Sequence, residues 1–566
     1  MTGYYPWVQL WGHQLAVKGR LFGRRRYYQV MGMTRCDFPA GEESGNFYLP
    51  GHITRVGHGM TEEREWDIIV IGGGLAGLTS GAYLAMAGKS VLLLEQQDFL
   101  GGCCGSYSTG GHHVPAAAHM VHDPGLINGI LLELGAEEIT FTPLDPVFEV
   151  TGPCPGKTLI ITQNQEIFEG SAKGLVTDAA QENVSKGLHR LIELSRQIYY
   201  ETRSLPLESP ELMSFFKRLF LGLSMQRKLP LSMQYGRMPV QQFLSSVFPG
   251  VEMQCFRSAL RSVVPIRGAR ALDLLQLLGD VVEGNIFYPE KGVESLIDSL
   301  TDCFKSHGGV IRTGAKVTSV NVANGQVTGV TLADESTITG DMVLSAIDMK
   351  ELFFTLLPDK GAPGLFREKL AKIPLSDSYF TVTFSTILPP GTTSERRKDV
   401  LVVNPAVEED ALFTADEADL VSLFIHFLEP GLDSMQDGRS LVQIMAPVRF
   451  MHENNWHSGP QCEKTEGYIE FKNQYAASLM KRADAVVPGL SSHSTDIAVA
   501  TPVSYRSCTG NDEGAAYGWR RPRMWRQKVP YTHGLYLAGH WTYPGPGVLK
   551  TMMSGKNVSR IILSGA

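Results

Sequence analysis

Beyond residue 64 the chain switches repeatedly between short aliphatic runs and amphipathic stretches. Asp67 to Ile71 is almost wholly aliphatic, the pattern of a parallel strand covered on both faces. A glycine-rich turn and a helical stretch follow, and Ser90 to Leu94 is a second aliphatic run. Downstream, Val293, Leu296, Ile297, Leu300 and Phe304 fall on one helical face, and Gly308 closes that helix. Residues 310–348 are strand-rich, with Asn324-Gly325 marking a hairpin turn. Near the end, "GLYLAGHWTYPGPGVLKTMMSGKNVSRIIL" predicts a strand, a Gly/Pro loop and a helix. Val548, Leu549, Met552 and Met553 open the apolar face of that helix.

Two long segments, 151–284 and 351–490, carry helical and mixed patterns without glycine signatures. The expected organisation is an N-terminal extension (1–64), then a nucleotide domain assembled from 65–150, 285–350 and 491–566. A second domain (151–284 and 351–490) is inserted between those pieces. One insert contains "PELMSFFKRLFLGLSMQRKLP". Leu212, Phe216, Leu219 and Leu223 share a face there, Met213 and Phe220 widen it, and Lys217, Arg218, Arg227 and Lys228 add positive charge. This suits a helix lying in a bilayer interface; a core helix with a solvated edge has the same pattern.

The chain has 566 residues, too many for one simple core, and 43% hydrophobic with 19% charged residues is a globular composition. A net charge of -7 excludes nucleic acid as an expected partner. The eight cysteines include no C-x-x-C pair, which reads against a disulfide framework and a zinc ribbon and for a reducing compartment. Adjacent Cys103 and Cys104 read as small packing residues rather than a redox dithiol. No apolar run is long enough to span a membrane. Met1 to Cys36 contains no Asp or Glu yet carries Lys18, Arg20, Arg24, Arg25, Arg26 and Arg35. That stretch reads either as a targeting or membrane-surface segment or as an over-called start, since Met60 opens "MTEEREWDIIV". The expected location is cytoplasmic or peripheral to a membrane, with organelle targeting by the extension as an alternative.

Chemistry enters at the first turn. Gly72, Gly74 and Gly77 fit G-x-G-x-x-G between a strand and a helix. The first glycine makes the turn, the second admits a pyrophosphate to the backbone, and the third seats the helix on the sheet. Amides at the helix start then favour negative charge. Glu95 lies 18 residues after Gly77, where such sites place the acid that holds a ribose hydroxyl. Gly101-Gly102 follows closely and belongs beside the same nucleotide. No second such motif exists for a built-in NAD(P)H domain, so a quinone, oxygen, a separate reductase or NAD(P)H from solution is the expected electron partner. His112, His113, His119 and His122 cluster, which admits a metal site on composition alone. Strand alternation would set His112 and His113 on opposite faces, and no metal is expected.

With these motifs stand "YPEKG" (Tyr288 to Gly292), "TGNDEGAAYGW" (Thr509 to Trp519) and "LAGHWTYPGPGV" (Leu537 to Val548). In that order they resemble the phytoene desaturase, carotenoid isomerase and retinol saturase group of FAD-dependent oxidoreductases. The resemblance covers most of the chain from about residue 65, and "GGCC" with the later "AHM" is most similar to the retinol saturase and carotenoid isomerase side. It implies an α/β fold: a Rossmann-type FAD-binding domain of glutathione-reductase type, made of discontinuous segments, with an inserted α+β substrate domain holding an apolar tunnel. It implies that Gly72, Gly74 and Gly77 hold the FAD pyrophosphate, Glu95 the adenosine ribose, and Gly101 and Gly102 the pyrophosphate and ribityl chain. Val317 would meet adenine through its backbone. Gly539, Pro544, Gly545, Gly547 and Val548 would approach the ribityl chain and the flavin ring. His119 is the candidate catalytic residue, with a hydrogen-bonded core histidine as the alternative; His540 and Tyr543 are weaker candidates, and Tyr517 reads as a packing residue.

The family's aromatic-Asp-x-Gly stretch is absent: the chain reads Val114-Pro115-Ala116-Ala117, without the aspartate. The implied activity is hydride transfer at carbon–carbon bonds of a polyene, isoprenoid or other hydrophobic lipid, as a desaturase or saturase, with peripheral membrane contact. The alternatives are a redox-neutral polyene isomerase, a lipid-binding protein of the GDP dissociation inhibitor type, and an amine oxidase.

Overall fold

The computed structural model describes residues 65–565 except 110–111, 153, 155, 265, 358–360, 389–397, 403–417, 419–420, 429–438, 451–455, 457, 459–462, 522 and 524. The N-terminal extension and its basic stretch lie outside the described residues, as do the side chains of His112 and His113.

The chain opens with β1 (Trp66–Ile71), α1 (Leu75–Met86) and β2 (Val91–Leu94). It then forms β3 (Phe148–Thr151), β4 (Thr158–Ile161) and a helical lobe that includes α2 (Gln181–Arg203), α3 (Phe215–Lys228), α4 (Gln254–Ser262) and α5 (Ala271–Val282). It returns through α6 (Glu294–Ser306), β5 (Val310–Arg312), β6 (Val317–Ala323), β7 (Gln326–Leu332) and β8 (Thr337–Ser345). A second excursion makes β9 (Ser378–Thr386), β10 (Lys398–Val402), β11 (Leu423–Leu428), β12 (Ser440–Val448) and β13 (Thr495–Ala500). The chain closes with α7 (Pro502–Thr509), β14 (Leu535–Leu537) and α8 (Val548–Ser564).

The first sheet is parallel in the order β5-β2-β1-β8-β14. Thr337–Thr339 of β8 instead pairs antiparallel with β7, which continues to β6, so one long strand joins a parallel sheet to a meander. The aliphatic run of β1 divides by parity, as a strand buried on both faces must. Ile68 and Val70 pack with Leu78, Phe304 and Met552 beneath α1, α6 and α8. Ile69 and Ile71 pack with Val317, Val330 and Trp519 on the other side. At the end of β1, Gly72 turns with φ +102°. A Cβ on Gly77 would stand 2.0 Å from the Gly72 carbonyl oxygen, so α1 can sit this close only with glycine there.

The second sheet runs β13-β9-β12-β11-β10-β3-β4, antiparallel except for the β10–β3 pair. Phe380, Ile425 and Ile444 face a core with the Glu466–Val486 helix. Tyr379, Phe424 and Met445 point the other way, toward the helical lobe of α2, α4 and α5. Cys154 and Cys255 form a disulfide across 101 residues, with Cα atoms 5.8 Å apart. Against the expectation of a chain without a disulfide framework stands this one bond: it joins the β3–β4 turn to α4, segments that only the fold brings together, and spacing along the chain carries no sign of it.

Candidate flavin and substrate site

One cavity of about 1960 Å³ is walled by elements of both sheets. Pockets for single small ligands run to about 1,000 Å³, so this one has room for a large cofactor and a second molecule.

The first wall is mostly backbone. The Gly72 amide donates to the Leu94 carbonyl at 2.8 Å. The amides of Gly73 and Gln97 donate to Glu95 Oε2 and Oε1 at 2.7 and 2.9 Å. The Gly101 amide donates to the Gly73 carbonyl at 2.9 Å, and Gly74 bridges to Gly101. The glycine turn, the acid and the Gly101-Gly102 loop are therefore one hydrogen-bonded unit, and Gly72, Gly74, Glu95, Gly101 and Gly102 all line the cavity. Burial pushes the Glu95 carboxyl up, against backbone amides that hold it down. Gly77 is outside the cavity wall; it serves the helix packing described above. Val317 stands in the wall with Lys316.

The C-terminal loop supplies the next part. The Gly539 amide donates to Ser554 Oγ at 3.0 Å, and Gly539, Pro546, Gly547, Val548 and Thr551 face the cavity. Pro544 and Gly545 are not lining residues; they carry the turn, Gly545 at φ +106°, and Pro546 stands in the wall instead. Tyr543 is also outside the wall, its hydroxyl donating to the Pro206 carbonyl. Helix α8 thus starts at the cavity and brings the positive end of its dipole there. These features fit FAD. Two helix starts and a row of glycines leave backbone open to a pyrophosphate, and a Cβ on Gly74 would meet only the Gly101 oxygen at 3.8 Å.

The second wall is mostly side chains: Phe148, Val263, Val264, Leu277, Phe424 and Met445. Polar groups stand among them, including Asp273 and Gln276 on α5 beside Leu277. His119 lines it, buried, with its ring stacked on that of His426 at 4.1 Å. His122 faces Asp280 at 3.3 Å. Tyr517 lines the cavity with its hydroxyl 3.1 Å from that of Tyr379. His540 lines the cavity beside Trp541, and burial pulls its pKa down to about 4, which leaves the ring neutral at ordinary pH. Burial pushes the thiols of Cys103 and Cys104 up to about 11 and about 12, so they stay protonated. His426 and Tyr379 escaped the sequence reading. Their one local signal is a polar or hydroxyl-bearing side chain inside an apolar strand, "LFIHFL" and "SYFTVTFST".

The two-sheet fold and the glycine cradle define a flavoprotein. The chain belongs to the flavin containing amine oxidoreductase family, whose model matches residues 75–384, and its cofactor is FAD. Among curated relatives it is 24% identical to the lycopene-forming phytoene desaturase of Pseudescherichia vulneris, over 88% of this chain and 98% of that one. It is 26% identical to the chloroplastic prolycopene isomerase of Daucus carota, over 88% of this chain and 80% of that one. An oxidoreductase from Methanosarcina mazei shares the fold with a TM-score of 0.56 at 15% identity, covering 87% of this chain and 99% of that one. Among the described residues, no helix is long and apolar enough to cross a membrane.

Proposed function

We propose that this protein is an FAD-dependent oxidoreductase that introduces or removes carbon–carbon double bonds in a hydrophobic polyene or isoprenoid lipid. The carrying observation is the single cavity that joins the glycine cradle to a wall of Phe148, Val263, Val264, Leu277, Phe424 and Met445. Bound FAD supplies two-electron chemistry, accepting or giving hydride at its N5. In this reading Gly72, Gly74, Gly101 and Gly102 hold the pyrophosphate and ribityl chain through backbone amides, and Gly77 sets the helix that aims them. Glu95 takes the ribose, and Val317 meets the adenine. Gly539, Gly547 and Val548 approach the flavin ring with the positive end of α8, which favours the negative charge of the reduced ring. The apolar wall orients the lipid and excludes water.

A redox-neutral polyene isomerase is the second reading, favoured by the similarity to the carrot protein. Mass spectrometry of lipids incubated with oxidised and reduced protein separates the two. A change of two hydrogens per product supports the redox enzyme; unchanged mass with altered retention supports the isomerase. The electron partner in the redox reading is a quinone, oxygen or NAD(P)H.

An insoluble substrate would be met at a lipid surface, and α3 supports that reading. Phe216, Phe220 and Leu223 are 79%, 70% and 71% exposed, with Phe215 and Leu219 beside them. Lys217, Arg218, Arg227 and Lys228 lie on the same helix, the composition of an interfacial helix. Vesicles of phosphatidylglycerol and phosphatidylcholine should float with the wild-type protein and release Phe216→Ser/Phe220→Ser, whose flavin content is unchanged. Equal flotation of both would contradict this contact.

A further inference from the structure

We infer that His119 and His426 together form a proton site on the lipid-facing wall, His426 being a catalytic residue that the sequence reading missed; the inference rests on the redox reading above. The two rings stack 4.1 Å apart and 3° from parallel. Both side chains are buried and both line the cavity. Phe424, two residues earlier on β11, lies parallel to His426 at 6.0 Å. Two phenyl rings would fill this space with no polar atoms to satisfy, so packing alone gives no reason for two imidazoles.

A buried polar row fixes the pair. Thr383, Gln443 and His426 are in register across β9, β12 and β11. Gln443 donates to Thr383 Oγ1 at 3.1 Å and to the Pro115 carbonyl at 3.3 Å. The Tyr505 hydroxyl donates to the next carbonyl, Ala116, at 3.0 Å. Tyr107 joins the row through Thr383 at 2.8 Å. Side chains from β12 and α7 thus grip two consecutive carbonyls just before His119 and set its ring against His426. Hydrogen bonds of this kind inside an apolar sheet restrict the side chains that make them to few geometries.

When two adjacent carbons lose hydrogen, one leaves as hydride with its electron pair, accepted by the flavin oxidant. The other leaves as a proton to an imidazole nitrogen of the pair, and its C–H electrons become the new double bond. In the saturating direction the same nitrogen returns the proton.

The test uses the full-length FAD-loaded protein with phytoene, prolycopene and all-trans-retinol in phosphatidylcholine vesicles, with a quinone acceptor or a reduced flavin, in light and heavy water. His119→Phe and His426→Phe should keep flavin absorbance and lipid binding but lose turnover and solvent-deuterium incorporation by about a hundredfold or more. Where a phenylalanine variant does not retain flavin, His426→Ala with added imidazole decides: returned turnover supports the proton site and no return overturns it. Variants within about threefold of wild type overturn the proton site and leave the proposed function standing. A wild-type protein inert on all three lipids overturns both.

Discussion

The two walls of the cavity are built by different means. The cofactor wall is backbone: glycines, amides and two helix starts, held by hydrogen bonds such as Gly73 to Glu95 at 2.7 Å and Gly101 to Gly73 at 2.9 Å. The opposite wall is side chain: Phe148, Phe424, Met445 and the stacked His119 and His426, contributed by strands and loops far apart in the chain. A backbone site fails when a Cβ intrudes. A side-chain site is retuned by changing what projects from a strand that otherwise stays put.

The largest expected effect breaks the first wall. Gly77→Ala drives a Cβ to 2.0 Å from a backbone oxygen that cannot move without shifting β1 or α1. Overpacking of that kind costs roughly 1–3 kcal/mol or more, and the protein should melt earlier and purify with little or no flavin. Gly74→Ala is the contrast. It is accommodated at 3.8 Å, so thermal unfolding of the apoprotein should be unchanged while flavin affinity falls about tenfold. Equal melting of the two variants would contradict the division between packing glycine and lining glycine.

A smaller effect belongs to the second wall. Val264→Trp fills the apolar side without touching the cradle, so flavin content should stay at the wild-type level while turnover of a polyene drops about tenfold or more. Flavin release by this variant would show that the two walls are not separable.

A last effect is a pH slope from the seam between the walls. His540 is neutral when folded, with its pKa pulled down to about 4 by burial, whereas an unfolded histidine titrates near about 6.5. Between those values the unfolded chain binds the extra proton, so stability rises with pH across that window and is lost as pH falls through it. His540→Phe should remove at most about 3 kcal/mol of that slope, measured by chemical denaturation at several pH values between about 4 and 6.5. An unchanged slope would place the slope elsewhere.

The same division explains what was legible in the sequence. Gly72, Gly74, Gly77 and Glu95 lie within one strand–turn–helix–strand unit, so their spacing alone announces the cradle. Gly539 and Gly547 came from the family resemblance carried by "LAGHWTYPGPGV", and both line the cavity. Pro544 and Gly545 were assigned too close to the site, since only the three-dimensional turn shows which residue of "PGPG" faces inward. His426 was out of reach. Its face depends on the register of β11 against β12, and its partner His119 arrives from a loop some 300 residues earlier. The Cys154–Cys255 bond was hidden for the same reason. For α3 the sequence offered two readings, core or interface; Phe216, Phe220 and Leu223 are exposed, whereas Met213, read on the same face, is buried ahead of the helix.

The central claim is that both walls bound one continuous cavity, so that a lipid lies against the flavin. Titrating phytoene in detergent micelles into the oxidised protein, while recording the flavin's visible spectrum, tests it directly. The wild-type protein should give a saturable shift that Val264→Trp abolishes. A spectrum that stays constant while phytoene binds would contradict it.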